Sequence, residues 1–370
     1  MTESTDKLQA RDLRKTYGSV IALAGANISV PEGEFLTLLG PSGSGKTTML
    51  MLIAGLLQPD AGELWIDGRL STYMPPNKRD IGMVFQNYAL FPHMSIADNI
   101  GFPLRMRKMP DAEIRKEVAR VLDIVQLPDV GDRKPSQLSG GQQQRIALAR
   151  CMVYQPPIIL MDEPLGALDK KLREQLQLEI RHLHRELGIT VLYVTHDQEE
   201  ALVMSDRICL MNDGEIEQLG SPDDLYFRPE TVFAADFLGE SNILQSKVAG
   251  ASSDVVGLEG PAGAALKAEP RGDIQDGQAI KFMLRPENVR VLKDGEDATN
   301  VLPGRVKDVI LVGQVTKYYA ILSDETEVIA TELTRRGGRT GYNQGDEIRF
   351  GFEPDAAVLL PREMRAGGGA

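Results

Sequence analysis

GPSGSGKTT, Gly40–Thr48, decides the fold of this chain. It has the spacing G-x-x-x-x-G-K-[ST] of a phosphate cradle. Glycines let successive backbone N–H groups converge on phosphate oxygens with no Cβ in the way. The apolar run EFLTLLG leads in, and KTTMLMLIAGLLQPDAG, of helical length, leads out and stops at Gly-Leu-Leu-Gln-Pro. Strand, glycine turn and helix form the βα unit of a parallel sheet. The helix points its positive end at the same phosphates. The pattern predicts that Ser42, Gly43, Ser44, Gly45, Lys46, Thr47 and Thr48 bind ATP. Lys46 reaches the outer phosphates, and the Thr47 hydroxyl ligates Mg²⁺.

Further along, IILMDEP reads as a short buried strand ending in two acids. Asp162 is placed to hold Mg²⁺ or its water. Glu163, one residue on, points elsewhere and is the candidate base for an attacking water. Between these motifs the texture changes. DAEIRKEVARVLDIVQL carries Ile114, Val118, Val121, Leu122 and Val125 at a helical period, which predicts a helix-rich insertion over about residues 87–150. DKKLREQLQLEIRHLHREL lines Leu172, Leu176, Ile180, Leu183 and Leu187 on one helix face. LQARDLRKTYG, VIALAGANISV, ITVLYVTHD and RICLMNDGEI read as strands.

LSGGQQQR, Leu138–Arg145, presents a second helix mouth with a hydroxyl and two glycines. Ser139 serves as an N-cap, but a helix N-terminus of this kind is also an anion site. One nucleotide need not engage two such termini of the same chain. A head-to-tail dimer satisfies both, with Ser139, Gly140, Gly141 and Gln142 closing over the γ-phosphate held by the other copy.

LSGGQ resembles the signature of ATP-binding cassette ATPases, and six motifs occur in that family's order over about residues 5–240. The resemblance implies a P-loop α/β cassette with a helical subdomain. It also implies roles for single residues. Tyr17 in KTYG stacks on adenine, and Gln86 in VFQNYALFPHMS senses Mg²⁺ and the attacking water. Asp169 in GALD belongs to a loop that crosses the dimer interface. His196 in VTHD contacts the γ-phosphate. Gly166 stands where serine is common, a departure of little expected consequence.

The formal charge of 41 − 53 = −12 argues against a nucleic-acid partner, which needs a basic face. No basic groove, tandem cassette or coiled-coil insert supports a soluble cassette acting on nucleic acid or ribosomes. Glu163 and His196 are both present, against a non-hydrolysing module. Cys151 and Cys209 form no CxxC pair and read as small core residues. The longest apolar run, MLMLIAGLL, is far short of the roughly twenty residues of a membrane helix, so transport requires separate membrane subunits. The family forms a groove for a short permease helix near NYALFPHMSIADNIGFPLR, where Tyr88, Leu90 and Phe91 would suit docking if exposed; the alternative is that they pack within the helical insertion.

Composition shifts after about Gly239, predicting a boundary at 240/241. The segment KVAGASSDVVGLEGPAGAALKAEPRGD is Gly-, Ala- and Pro-rich with weak periodicity. Short strands with turns then follow, predicting a small all-β barrel or sandwich over 241–370, its RAGGGA tail disordered. MLRPENV, Met283–Val289, resembles the small OB-like, TOBE-like extension of importer ATPases. FLGESNIL and LGALDKKLR look most like ATPases of polyamine uptake, with iron, sugar and phosphonate importers as alternatives. The expectation is therefore an ATPase homodimer on the cytoplasmic face of the inner membrane. It would serve two permease subunits fed by an extracytoplasmic binding protein.

Overall fold

The computed structural model describes residues 6–166, 169–334 and 341–360. Two compact units meet in sequence at Pro222/Asp223. The first opens with a hairpin of β1 (Asp6–Tyr17) and β2 (Val20–Pro31), then β3 (Phe35–Leu39) and α1 (Lys46–Ala54). It continues through β4 (Ala61–Ile66), β5 (Arg69–Leu70), β6 (Gly82–Val84), α2 (Ile96–Met106), α3 (Asp111–Ile124) and α4 (Gly140–Met152). It finishes with β7 (Ile158–Asp162), α5 (Lys170–Leu187), β8 (Thr190–Thr195), α6 (Gln198–Met204), β9 (Arg207–Asn212) and β10 (Glu215–Gly220).

The strands form a four-stranded antiparallel sheet, β2-β1-β4-β5, and a six-stranded sheet, β10-β9-β3-β8-β7-β6, parallel except for β10. FLTLL, IILMD and TVLYVT are apolar on both faces because both faces are covered. With a side-chain period of two, Leu36, Leu38, Leu160, Leu192 and Val194 join Leu8, Leu23, Met49 and Leu52 in one core. Phe35, Ile159, Met161, Val191 and Tyr193 join Ile100, Val121, Ile146, Leu176 and Ile180 in the other. Each such Leu or Ile contributes about 1.5–3 kcal/mol by leaving water. The helical period read in residues 111–125 is met by α3, with Ile114, Val118, Val121 and Leu122 buried and Val125 buried just past its end.

α1 ends at Gly55 in the left-handed region. The buried Arg79 then takes up its last carbonyls, donating to Leu52 O at 2.6 Å and Ile53 O at 2.7 Å. Cys151 and Cys209 are free and buried, and burial pushes their thiols up to about 11 and about 12.

The second unit begins with α7 (Pro222–Phe227) and α8 (Val232–Phe237). β11 (Asn242–Ala251), β12 (Val256–Glu259), β13 (Ala265–Ala268), β14 (Ala279–Leu284) and β15 (Arg290–Val291) follow. The last strands are β16 (Asn300–Val312), β17 (Val315–Ile321), β18 (Glu327–Leu333), β19 (Glu347–Phe352) and β20 (Ala357–Leu360). They form two five-stranded sheets, β13-β12-β11-β14-β20 and β15-β19-β16-β17-β18, around one core that includes Leu244, Phe282, Val306, Ala320, Phe350 and Phe352. The all-β expectation therefore holds.

Two details differ from expectation. The unit starts at Asp223, not near residue 241, because Arg285 recruits the helices before it. Its guanidinium donates to Tyr226 O at 2.9 Å, Ala235 O at 3.2 Å and Ser241 Oγ at 2.6 Å. The weakly periodic Gly-, Ala- and Pro-rich stretch, for which the sequence marks no strand, also holds β12 and β13. The RAGGGA tail lies outside the described residues.

Candidate functional site

Register places the site. Leu39 at the end of β3 pairs with Thr195 at the end of β8, Asp162 of β7 with Val194, and Val84 of β6 with Met161. The carboxyl ends of four neighbouring parallel strands are therefore level, about 4.8 Å apart from one strand to the next. From them emerge, in spatial order, the Gly40–Thr48 turn, His196, Glu163 and Gln86. This is the end of a parallel sheet where ligands bind.

The turn is held from below. Gly40 has φ +153, and a Cβ there would overlap the Met211 carbonyl oxygen. Gly45 has φ +97, and a Cβ would overlap the Ala22 carbonyl oxygen on β2. The Ser44 carbonyl accepts from Gly214 N at 3.3 Å. Gly43, by contrast, faces open space. No side chain caps the N-terminus of α1, so its first N–H groups are left for an anion. Ser42 and Thr47 are exposed, Thr48 and Gly45 half-buried, Ser44 buried. Lys46 is 5% exposed, its ammonium donating to Gly40 O and Pro41 O at 2.8 Å each. Burial lowers its pKa, against the pull of Glu163 and Asp162.

Asp162 is half-buried. Burial raises its carboxyl pKa, the Glu163 charge adds to this, and Lys46 opposes it. Glu163 sits at φ +44, uncommon for a residue with a side chain, and its N–H donates to Val194 O at 3.0 Å. The turn aims the two acids differently. Glu163 Oε1 lies 3.2 Å from His196 Nδ1.

The donor set fits a polyphosphate with a hard divalent cation. It offers an uncapped helix terminus, one ammonium, a hydroxyl at Thr47, and a carboxylate at Asp162 whose charge burial disfavours. Among the described residues no cluster of three or more His, Cys, Asp or Glu could hold a metal alone. Mg²⁺ needs only one or two protein oxygens when it shares phosphate.

The remaining expected residues lie elsewhere on the unit. Tyr17, 47% exposed, pairs with Val20 at the tip of the β1–β2 hairpin, where Val20 and Ile21 are also exposed. β2 connects this rim to Gly45. Ser139 caps α4 in a reciprocal box, its N–H donating to Gln142 Oε1 at 3.0 Å and its Oγ accepting from Gln142 N at 3.4 Å. Gly140 is exposed, while a Cβ on buried Gly141 would crowd Leu172. Among the described residues, no hydrogen bond joins Ser139–Gln142 to the phosphate turn. Asp169 caps α5, accepting from Leu172 N at 3.1 Å. Tyr88 is buried in the helical core, Leu90 packs partly buried against it, and Phe91 packs on Phe102 at 4.7 Å, so of the two alternatives for these residues the packed one holds.

Some contributors lie outside the residues the motifs assign a role. Gly40 and Pro41 supply the lysine's acceptors. Arg173, Asp197 and Glu200 form a polar cluster behind His196. Within that cluster only Asp197 had a readable signal, an Asp opening a Gln-Glu-Glu helix start. No helix among the described residues is long and apolar enough to cross a membrane.

Residues 23–166 match the ABC transporter family model, and residues 282–360 match the TOBE domain. The spermidine/putrescine import ATP-binding protein PotA of Thermobifida fusca is 43% identical over 97% of this chain and 96% of its own. Its namesake in Ruegeria pomeroyi is 44% identical over 96% and 97%. Among solved structures, the ATP-binding cassette MJ0796, described as a dimer in a post-hydrolysis state bound to ADP and Pi, is 38% identical. It has a TM-score of 0.52 over 58% of this chain and 98% of its own. The cbiO1 protein of Clostridium perfringens, described as part of an ABC transporter complex, is 29% identical with a TM-score of 0.56, over 60% and 90%. With its phosphate turn, paired acids and signature helix in one cassette followed by a TOBE domain, the chain belongs to the ATP-binding subunits of the ABC transporter family.

Proposed function

We propose that this chain hydrolyses ATP to drive import of a polyamine of the spermidine/putrescine class through separate membrane permeases. The carrying observation is the Glu163–His196 pair, 3.2 Å apart, on strand ends next to the phosphate turn. The substrate class rests on the relatives' names, since these subunits are matched nearly end to end.

Lys46 and the N–H groups of α1 bind and neutralise the outer phosphates. Thr47 and Asp162, with Gln86, would hold Mg²⁺, which would supply charge neutralisation for the phosphates. Glu163 orients the attacking water and takes its proton. His196, its Nδ1 3.2 Å from Glu163 Oε1, stands beside the base and is the residue to contact the γ-phosphate. Tyr17, with its apolar rim, stacks on the base.

Exposed Ser139 and Gly140 sit on another helix mouth, so a second copy completes the site head to tail, with Gln142 holding the turn's shape and Asp169 at the seam. The dimeric cassette among the structural neighbours supports this arrangement. The permeases place the dimer on the cytoplasmic face of the inner membrane, and an extracytoplasmic binding protein delivers solute. Labelled spermidine uptake in a strain lacking this chain tests the reading. Uptake should return with the parent and not with Glu163→Gln. Normal polyamine uptake in the deletion strain would exclude the substrate class.

A further inference from the structure

His196 lies between two pinned neighbours. Thr195 Oγ1 donates to Glu200 Oε2 at 2.7 Å and accepts from Asp197 N at 3.0 Å. Tyr193, on the same strand, donates its hydroxyl to the same Glu200 oxygen at 2.7 Å. Glu200 is 2% exposed, so its carboxylate is costly unless partnered. Asp197 caps α6 through Oδ1, which accepts from Glu199 N at 2.9 Å. Its other oxygen accepts from Arg173 NH1 at 2.9 Å, and Arg173 Nε lies 3.9 Å from Glu200 Oε1. Arg173 stands on the first turn of α5, its N–H bonded to the Asp169 carbonyl at 2.9 Å.

We propose that Arg173 is a positioning residue for the hydrolytic pair: by bridging Asp197 and Glu200 it fixes the turn that sets His196 against Glu163. The proposal rests on the ATPase reading above. Asp197 follows His196 directly and Thr195, bonded to Glu200, precedes it, so the contacts of Arg173 bear on the backbone that carries His196. A cation is required there because two carboxylates, one buried, converge within one turn of α6. Lysine, a point charge, cannot hydrogen-bond Asp197 and keep a second nitrogen beside Glu200 as the guanidinium does.

The test uses the full chain with two readouts. Arg173→Ala should lower kcat for ATP hydrolysis by about tenfold to a hundredfold, with KM little changed, because a small displacement of a reacting group costs that much. Arg173→Lys should recover only part. Asp197→Asn keeps an N-cap, removes the charge partner, and should show the same loss if Arg173→Ala fails to fold. The second readout needs no turnover. The chain has four histidines, and ¹⁵N-histidine spectra should show the His196 ring signal moved in Arg173→Ala, with His93, His182 and His184 unmoved. Parental kcat, a rise confined to KM, or an unmoved His196 signal overturns the proposal. A parent chain without ATPase activity would instead defeat the ATPase reading, leaving the spectral test standing.

Discussion

His196 Nδ1 lies 3.2 Å from Glu163 Oε1, and the Glu163 backbone turns through φ +44 to make that contact. The pair is pre-formed in the chain. Glu163→Gln keeps shape and hydrogen bonding but removes the base. It should lower ATP turnover by about a hundredfold or more, while ATP drives the protein into a stable dimer seen by light scattering. Turnover at the parental rate would assign the base elsewhere. His196→Ala should also suppress turnover without abolishing ATP binding.

Ser139 and Gln142 cap one another at the mouth of α4, bonded to each other and not to the Gly40–Thr48 turn. Ser139→Arg should block turnover yet leave ATP affinity of the isolated chain near parental. The variant also loses a cap, at a cost of about 1 kcal/mol, and Ser139→Ala serves as the control for that loss. Fluorescent ATP titration decides between the readings. Lost binding in the arginine variant would put Ser139 in its own chain's pocket.

The site's strands were legible because FLTLL, IILMD and TVLYVT are mostly apolar on both faces, as buried parallel strands are. The phosphate turn was legible because Gly40 and Gly45 adopt conformations that side chains resist. Arg173 was not, since an arginine in a charged helix gives no sign that it reaches Asp197, 24 positions on. Tyr88 was undecided for a related reason: a tyrosine in a polar loop reads equally as exposed or packed, and here it turns into the core at φ +59. β12 and β13 were hidden because their inward residues, Val256, Leu258, Leu266 and Ala268, alternate with Gly, Ala and Lys in a weak pattern. The unit boundary was hidden in Arg285, whose partners come before the composition changes.

Asp60 accepts from Lys15 Nζ at 2.8 Å, from Thr16 N at 2.7 Å and from Thr16 Oγ1 at 2.8 Å, just before Tyr17. The Lys15 bond, then the two Thr16 bonds, hold its carboxyl at about 2, below the ordinary 3.8. A depressed carboxyl stabilises the fold fully above its unfolded value and loses that contribution as pH falls through the folded one. Asp60→Asn should therefore unfold at lower temperature than the parent at neutral pH. The gap should close as pH drops from 3.8 toward about 2. A gap that stays constant across that window would show that charge is not what Asp60 contributes.

Arg285 is 1% exposed and lies 4.2 Å from the centre of the Tyr226 ring, while its NH1 and NH2 reach Ala235 O, Glu240 O, Ser241 Oγ and Tyr226 O. One guanidinium thus gathers α7, α8 and the start of β11 onto β14. Burial lowers its pKa, but an arginine remains charged under any ordinary condition, so neutral carbonyls and a π face solvate it. Arg285→Ala leaves those carbonyls buried without a donor and should destabilise the second unit by about 2–4 kcal/mol. Arg285→Lys should recover little, because a point ammonium cannot span carbonyls on both sides. Hydrogen exchange reads the effect locally. Amides of residues 223–241 should lose protection first, ahead of the strands β16–β19. Protection of α8 equal to the parent in Arg285→Ala would mean that the helices are held by Ala235, Met283 and Leu360 packing alone.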